Sequence, residues 1–260
     1  EMREQSAKLI FWQRTQAFNW QTQDAGENVR FQTAPLADDM VLAGTASVDV
    51  WLRSDATEAE VEAVLSEVRP DGREMRVQAG QLQVSYRALD ASSTDLKPVQ
   101  KGYEDGHAPL VPGEWTQVRI QIPAFAHAFR AGSSIRLEIN TPGGDTAQWE
   151  FELDGPGAEA THVINTGIDR PSSINLPVIP GWVAQTPLQG CTLRGMPCRA
   201  AAPIANEVVE SDVGPQLPVG YEGYVSAQYG GPENWMCLPG KVDDVCARDL
   251  DTTAVFADGT

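Results

Sequence analysis

Residues 113–140, GEWTQVRIQIPAFAHAFRAGSSIRLEIN, constrain the fold more than any other stretch of this chain. Thr116, Val118, Ile120 and Ile122 alternate with Gln117, Arg119 and Gln121. Period-two alternation marks a strand with one buried face. A second alternation sets Ile135, Leu137 and Ile139 against Arg136, Glu138 and Asn140. Between them lie Pro123 and an aromatic-rich link, Phe125 to Phe129, closed by Ala131-Gly132. The region reads as a hairpin entered through the turn Val111-Pro112-Gly113. Two amphipathic strands bury too little to stand alone in water, so the pair predicts a β-sandwich completed by strands on either side.

Those strands can be picked out along the chain. Val29 to Phe31 reads as a short strand. In ASVDVWLRS (46–54), Ala46, Val48, Val50 and Leu52 face one way and Ser47, Asp49, Trp51 and Arg53 the other, as expected of a core strand. Residues 57–68, TEAEVEAVLSEV, are ambiguous. Their Glu, Ala and Leu content favours helix, with Thr57 as cap. The turn signal Pro70-Asp71-Gly72, followed by the alternating Glu74 to Gln78, favours a hairpin. Leu82 to Leu89 is a further strand-like run, and Asp90 to Pro112 a long surface loop. Strands are also expected at 147–153, at Thr161 to Thr166 and at Ile174 to Ile179, the last an edge because of Pro177. Regular alternation stops after Pro180. The expected organisation is an N-terminal segment (1–28) packing on the sandwich, the sandwich itself (29–186), a linker (187–226) and a small disulfide-containing segment (227–260).

Charge and cysteine usage narrow the function classes. A net charge of −17 argues against nucleic acid and anionic membrane surfaces as partners. No apolar run approaches the length of a membrane span. The chain begins at Glu1 without an initiator Met or signal peptide, which points to a processed product or a fragment. All four cysteines fall in the last third. Local pairing, Cys191 with Cys198 and Cys237 with Cys246, would close two small loops and imply an oxidising, extracellular or periplasmic compartment. The rival zinc site lacks Cys-x-x-Cys spacing and a nearby histidine.

No complete catalytic constellation is visible. Gly-x-Ser-x-Gly is missing, and Ser133-Ser134 open a strand with no helix after them. His107 lies in the long loop, His127 in the aromatic link and His162 in a strand, and nothing selects one as a base. Asp243, Asp244, Asp249 and Asp251 lack the glycine and terminal glutamate of an EF-hand, so a solvated acidic surface is expected there. No metal or other cofactor is expected. Trp51, Trp115, His127, Trp149 and Trp182 are the candidates for ligand or interdomain contacts.

Four pieces in order carry a family resemblance: TAPLADDMVLAGTASVDVWLRSDA (33–56), VEAVLSEVRPDGREMRVQAGQLQVSYR (61–87), PGEWTQVRIQIPAFAHAFRAGSSIRLEI (112–139) and SSINLPVIP (172–180). Together they make Val29 to Pro180 resemble the C-terminal jelly-roll domain of the Xaa-Pro dipeptidyl-peptidase and cocaine-esterase (CocE/NonD) group of serine hydrolases. The resemblance implies an all-β jelly-roll sandwich of the galactose-binding-like type and resolves residues 61–68 as a strand. It also implies that the nucleophile, acid and histidine sit on a separate α/β-hydrolase domain earlier in the polypeptide, so no catalytic residue transfers to this chain. The jelly roll would then pack on that domain, help shape the cleft and aid dimerisation. CTLRGMPCR (191–199) is similar to the tails of secreted members, and Tyr229 to Thr260 resembles the start of a second, lipase-like hydrolase family, stopping short of its nucleophile. The expected role is a non-catalytic accessory domain of a secreted ester- or amide-cleaving serine hydrolase. The alternative is a stand-alone carbohydrate-binding or homo-oligomeric assembly module.

Overall fold

The computed structural model describes residues 20–24, 26–102, 106–143, 160–167, 170–191 and 197–204. The chain divides into two units, Glu1–Glu207 and Val208–Thr260, and every described residue belongs to the first. The described strands are β1 (Val29–Gln32), β2 (Met40–Ser54), β3 (Glu60–Val68), β4 (Arg73–Gln83), β5 (Thr116–Phe129), β6 (Ser134–Asn140), β7 (His162–Ile164), β8 (Ser173–Asn175) and β9 (Cys198–Ala200). One sheet runs β1-β6-β3-β4-β9. The other runs β5-β2-β7, with β8 also paired to β2. All these pairings are antiparallel.

Alternation places the core where expected. Ala46, Val48, Val50 and Leu52 of β2 are fully buried, with Val118, Ile120, Ile122 and Phe129 of β5 beside them. They share one hydrophobic cluster with Val61, Ala63 and Leu65 of β3 and Ile135, Leu137 and Ile139 of β6. Two inner faces meeting this way make a sandwich. The stretch whose propensity favours helix is strand β3. It lies between β6 and β4, and every residue from Val61 to Glu67 is buried. Pairing on both edges and burial on both faces outweigh a helix preference of a few tenths of a kcal/mol per residue.

Four expectations need correction. β5 and β6 are not a hairpin: β5 pairs with β2, and β6 with β1 and β3. The turn around Gly132 (φ 82°) carries the chain from one sheet to the other. Period two reports which face of a strand is buried, but two strands facing each other across a core show the same pattern as two lying side by side. The aromatic link is itself strand, because β5 continues to Phe129 past a bulge where the register with β2 shifts between Gly44 and Ala46. Pro123 sits in that bulge on a sheet edge, where a missing N–H breaks no ladder bond.

The runs at 74–78 and 82–89 also differ from expectation. They merge into the single strand β4, which ends in a 3-10 turn at Val84–Tyr86. At Gly80 a Cβ would lie 1.9 Å from the Gln121 carbonyl oxygen, so β4 can run against β5 only because that residue has no side chain. Finally, β9 arises within the stretch expected to be linker. Arg73 pairs with Ala200 and Met75 with Cys198. The Cys191–Cys198 disulfide forms as expected and closes the loop that leads into β9. The strand expected at 147–153, including Trp149, and Cys237 and Cys246 lie outside the described residues.

Candidate functional site

The histidines decide whether this domain could do nucleophilic chemistry. In a Ser-His-Asp triad the imidazole is bonded to both a hydroxyl and a carboxylate. His127 points into the sandwich, its Nε2 lying 3.2 Å from Glu67 Oε2. Glu67 also accepts the Arg130 amide at 3.2 Å and Arg69 Nε at 3.4 Å. The ring packs edge-on against Phe129 at 4.7 Å. Its Nδ1 is buried without a hydrogen-bond partner, so the ring has no second group to which it could relay a proton. Burial pushes the Glu67 carboxyl up, but the bond and charge of His127 and the Arg130 amide outweigh that and hold it below the usual range. This is a packed structural histidine.

The other two histidines do no better. His162 Nδ1 meets Ser54 Oγ at 3.0 Å, and that hydroxyl accepts the Ala56 amide at 3.0 Å. Asp55 instead accepts the Thr161 amide at 2.9 Å. Burial holds His162 below the ordinary imidazole value. His107 stacks on Tyr86 at 5.0 Å. Among the described residues no histidine bonds both a hydroxyl and a carboxylate.

Trp51 and Trp115 come together on the outer face of the smaller sheet. Arg53 stacks over Trp115 at 5.0 Å, and Arg170 lies 5.8 Å from the Trp51 ring and 5.7 Å from that of Trp115. Four half-buried side chains thus stack on one another. Their ring faces are taken by the guanidinium groups, which favours structure over ligand capture.

The outer face of the larger sheet holds what the sequence reading missed. Arg30, Glu62, Glu74, Arg76, Arg136 and Glu138 are all buried there. Arg30 Nε donates to Glu138 Oε2 at 2.5 Å and Arg199 Nη2 to the same oxygen at 2.9 Å. Arg136 Nη1 and Arg199 Nε both donate to Glu74 Oε2, at 3.0 and 3.1 Å. Part of the N-terminal segment lies against this layer. Trp20 is buried with Arg199 3.8 Å above its ring, Arg199 Nη1 donates to the Gln21 carbonyl at 2.6 Å, and Arg30 Nη2 to that of Gln23 at 3.3 Å. The sequence signal was present as Arg136-Leu-Glu138 and Glu74-Met-Arg76, each on the supposed solvent face. Alternation alone cannot tell a solvated face from a covered ionic one.

Trp182 is the opposite case, a large apolar side chain left 65% exposed. The strap that carries it is tied on both sides. Before it, the Ala43 amide donates to the Pro177 carbonyl at 3.0 Å and the Ile179 amide to that of Val41 at 2.8 Å. After it, Arg130 Nη1 donates to the Ala184 carbonyl at 3.3 Å and Nη2 to that of Thr186 at 2.5 Å. Arg130 is itself clamped to Asp39 Oδ2 at 3.0 Å. The Ala131 amide and Arg130 hold the Asp39 carboxyl below the ordinary range. Leu36–Val41 and Val178–Trp182 line an open cleft of about 290 Å³ between them.

Known proteins match this fold. A Mycobacterium bovis protein that bears a serine-esterase name is 27% identical over 152 residues, covering 57% of this chain and 23% of its own length. The cocaine esterase of a Rhodococcus species is 25% identical over 167 residues, 60% of this chain and 26% of that enzyme. The chain thus spans about a quarter of these relatives. The crystal structure of a CocE/NonD family hydrolase from Staphylococcus aureus superposes with a TM-score of 0.50 at 22% identity, over 58% of this chain and 30% of that one. The model of the X-Pro dipeptidyl-peptidase C-terminal non-catalytic domain matches residues 3–175, through the last strand of the smaller sheet. The strand order, the core and that match together make this chain a member of the X-Pro dipeptidyl-peptidase C-terminal non-catalytic domain family.

Proposed function

We propose that this chain serves as the non-catalytic accessory domain of a secreted serine hydrolase that cleaves ester or amide bonds, docking on an α/β-hydrolase domain and completing its substrate cleft. The observation that carries the reading is the fate of the histidines: each described imidazole is engaged in packing or a single polar contact, in a chain that spans about a quarter of its esterase-named relatives. The Cys191–Cys198 disulfide supports an oxidising compartment. The test is labelling of the purified 260-residue chain with a fluorophosphonate, which reports an activated serine. The chain is expected to stay unlabelled and to leave activated esters at their buffer rate. A stoichiometric label on one serine would sink the proposal.

A further inference from the structure

We propose that the strap from Val178 to Leu188, with Trp182 as its anchor, is the surface by which this domain meets its hydrolase domain. This rests on the docking role proposed above and adds to it the place and chemistry of contact. Trp182 and Val183 are 65% and 60% exposed, and Val178 and Leu188 join them on the same short segment at 46% and 48%. The backbone beneath the indole is fixed, because the main chain is bonded to Val41 and Ala43 before Trp182 and to Asp39 and Arg130 after it. An aromatic presented on a fixed backbone, beside a cleft that a neighbouring side chain could enter, is the usual form of an interface anchor. Little ordering entropy remains to be lost on contact.

The occupant follows from the relatives. They keep about three quarters of their length outside the part that matches this chain. A tethered neighbour meets an apolar face at a far higher effective concentration than any free molecule does. Asp38 is exposed at the cleft rim. The complementary face is therefore apolar at its centre, with a basic side chain at the edge opposite Asp38.

The test is hydroxyl-radical footprinting of Trp182, read by mass spectrometry. It compares the 260-residue chain with the natural polypeptide in which the chain is joined to its hydrolase domain. Trp182 should oxidise readily in the chain alone and at least tenfold more slowly in the joined form. Trp182→Ala should leave the melting of the chain alone unchanged. In the joined form it should lower the temperature at which ester hydrolysis is lost, and Trp182→Phe should restore much of it. Equal oxidation in both forms, with protection at some other face, would overturn this inference and leave the docking role standing. Absence of any protected face, or of any hydrolase domain joined to the chain, would overturn the docking role itself. Protection in the chain alone that grows with its concentration would assign the strap to a second copy and also overturn the inference.

Discussion

Replacing Glu138 with leucine tests whether the ionic layer on the larger sheet holds the fold together. Glu138 is 1% exposed and stands between two arginines, Arg30 and Arg199, whose side chains are 5% and 6% exposed. Arg199 keeps Glu74 as a carboxylate partner in the variant, at 3.1 and 3.3 Å. Arg30 loses the carboxylate at 2.5 Å and retains the Gln23 carbonyl at 3.3 Å. Removing one member of a buried pair costs about 3–5 kcal/mol, because Arg30 stays desolvated with its 2.5 Å carboxylate gone. That is a large fraction of a domain stability of roughly 5–15 kcal/mol. With a urea m-value of about 2–3 kcal/mol/M, the midpoint of unfolding should fall by about 1–2.5 M with m unchanged. The double variant Arg30→Met/Glu138→Leu should recover much of the loss, since an apolar pair of similar volume removes the buried charge along with the carboxylate that faced it. A single variant costing less than about 1 kcal/mol, or a double variant no more stable than the single, would refute the view that desolvation of the surviving arginine dominates.

Three further outcomes can be measured on the same chain. Gly80→Val should cost about 3 kcal/mol or more in urea, since the new Cβ falls 1.9 Å from the Gln121 oxygen, whereas Gly102→Ala, which meets nothing within 4 Å, should change stability by less than about 0.5 kcal/mol. Glu67 is held below its ordinary value of 4.5 in the fold, so its contribution is present above that pH and lost as the pH falls through the lower folded value. The stability gap between the parent and Glu67→Gln should therefore be widest near neutrality and close below pH 4.5, and a gap constant from pH 7 to 3 would show that this carboxylate is not linked to folding. Cys191→Ser/Cys198→Ser opens a short loop and should lower stability by about 2–3 kcal/mol on chain-entropy grounds, seen as a lower melting temperature; an unchanged melting temperature would mean that β9 stays docked without the crosslink.

What the sequence made legible, and what it left hidden, has a physical pattern. The inward faces of β2, β5 and β6 are fixed by alternation, because a one-residue slip would move every apolar side chain to the wrong face. Neighbour relations are not fixed that way. Ile122 and Ile135 flank a turn yet belong to different sheets, and only the bulge and the crossing at Gly132 decide it. β9 is three residues long and carries no period of its own; it exists because Arg73 to Met75 offer an edge and Arg199 reaches Glu74. For the site, the sequence named the aromatics but not their situations. Trp51 and Trp115 are stacked under arginines while Trp182 stands clear, a difference set by residues far along the chain. His127 stood in the sequence as a contact candidate between Phe125 and Phe129, and the structure packs its ring edge-on against Phe129.

The order of the strands also sets how this domain must assemble. Among the described strands only Val68 and Glu74 are paired across a tight turn; Val29 waits for Ile139, Leu52 for Ile164 and Arg73 for Ala200. Such long closures make folding slow relative to helical domains of the same size. They also give the β3–β4 hairpin a head start as a template. On the ribosome that hairpin would be complete while both of its outer edges are still bare, and it stays so until β6 and then β9 emerge to cover them. The glutamates and arginines of β3 and β4 would keep those edges in water during the wait, so the charges that end up locked together in the finished sheet would also act earlier, as guards against pairing with the wrong chain.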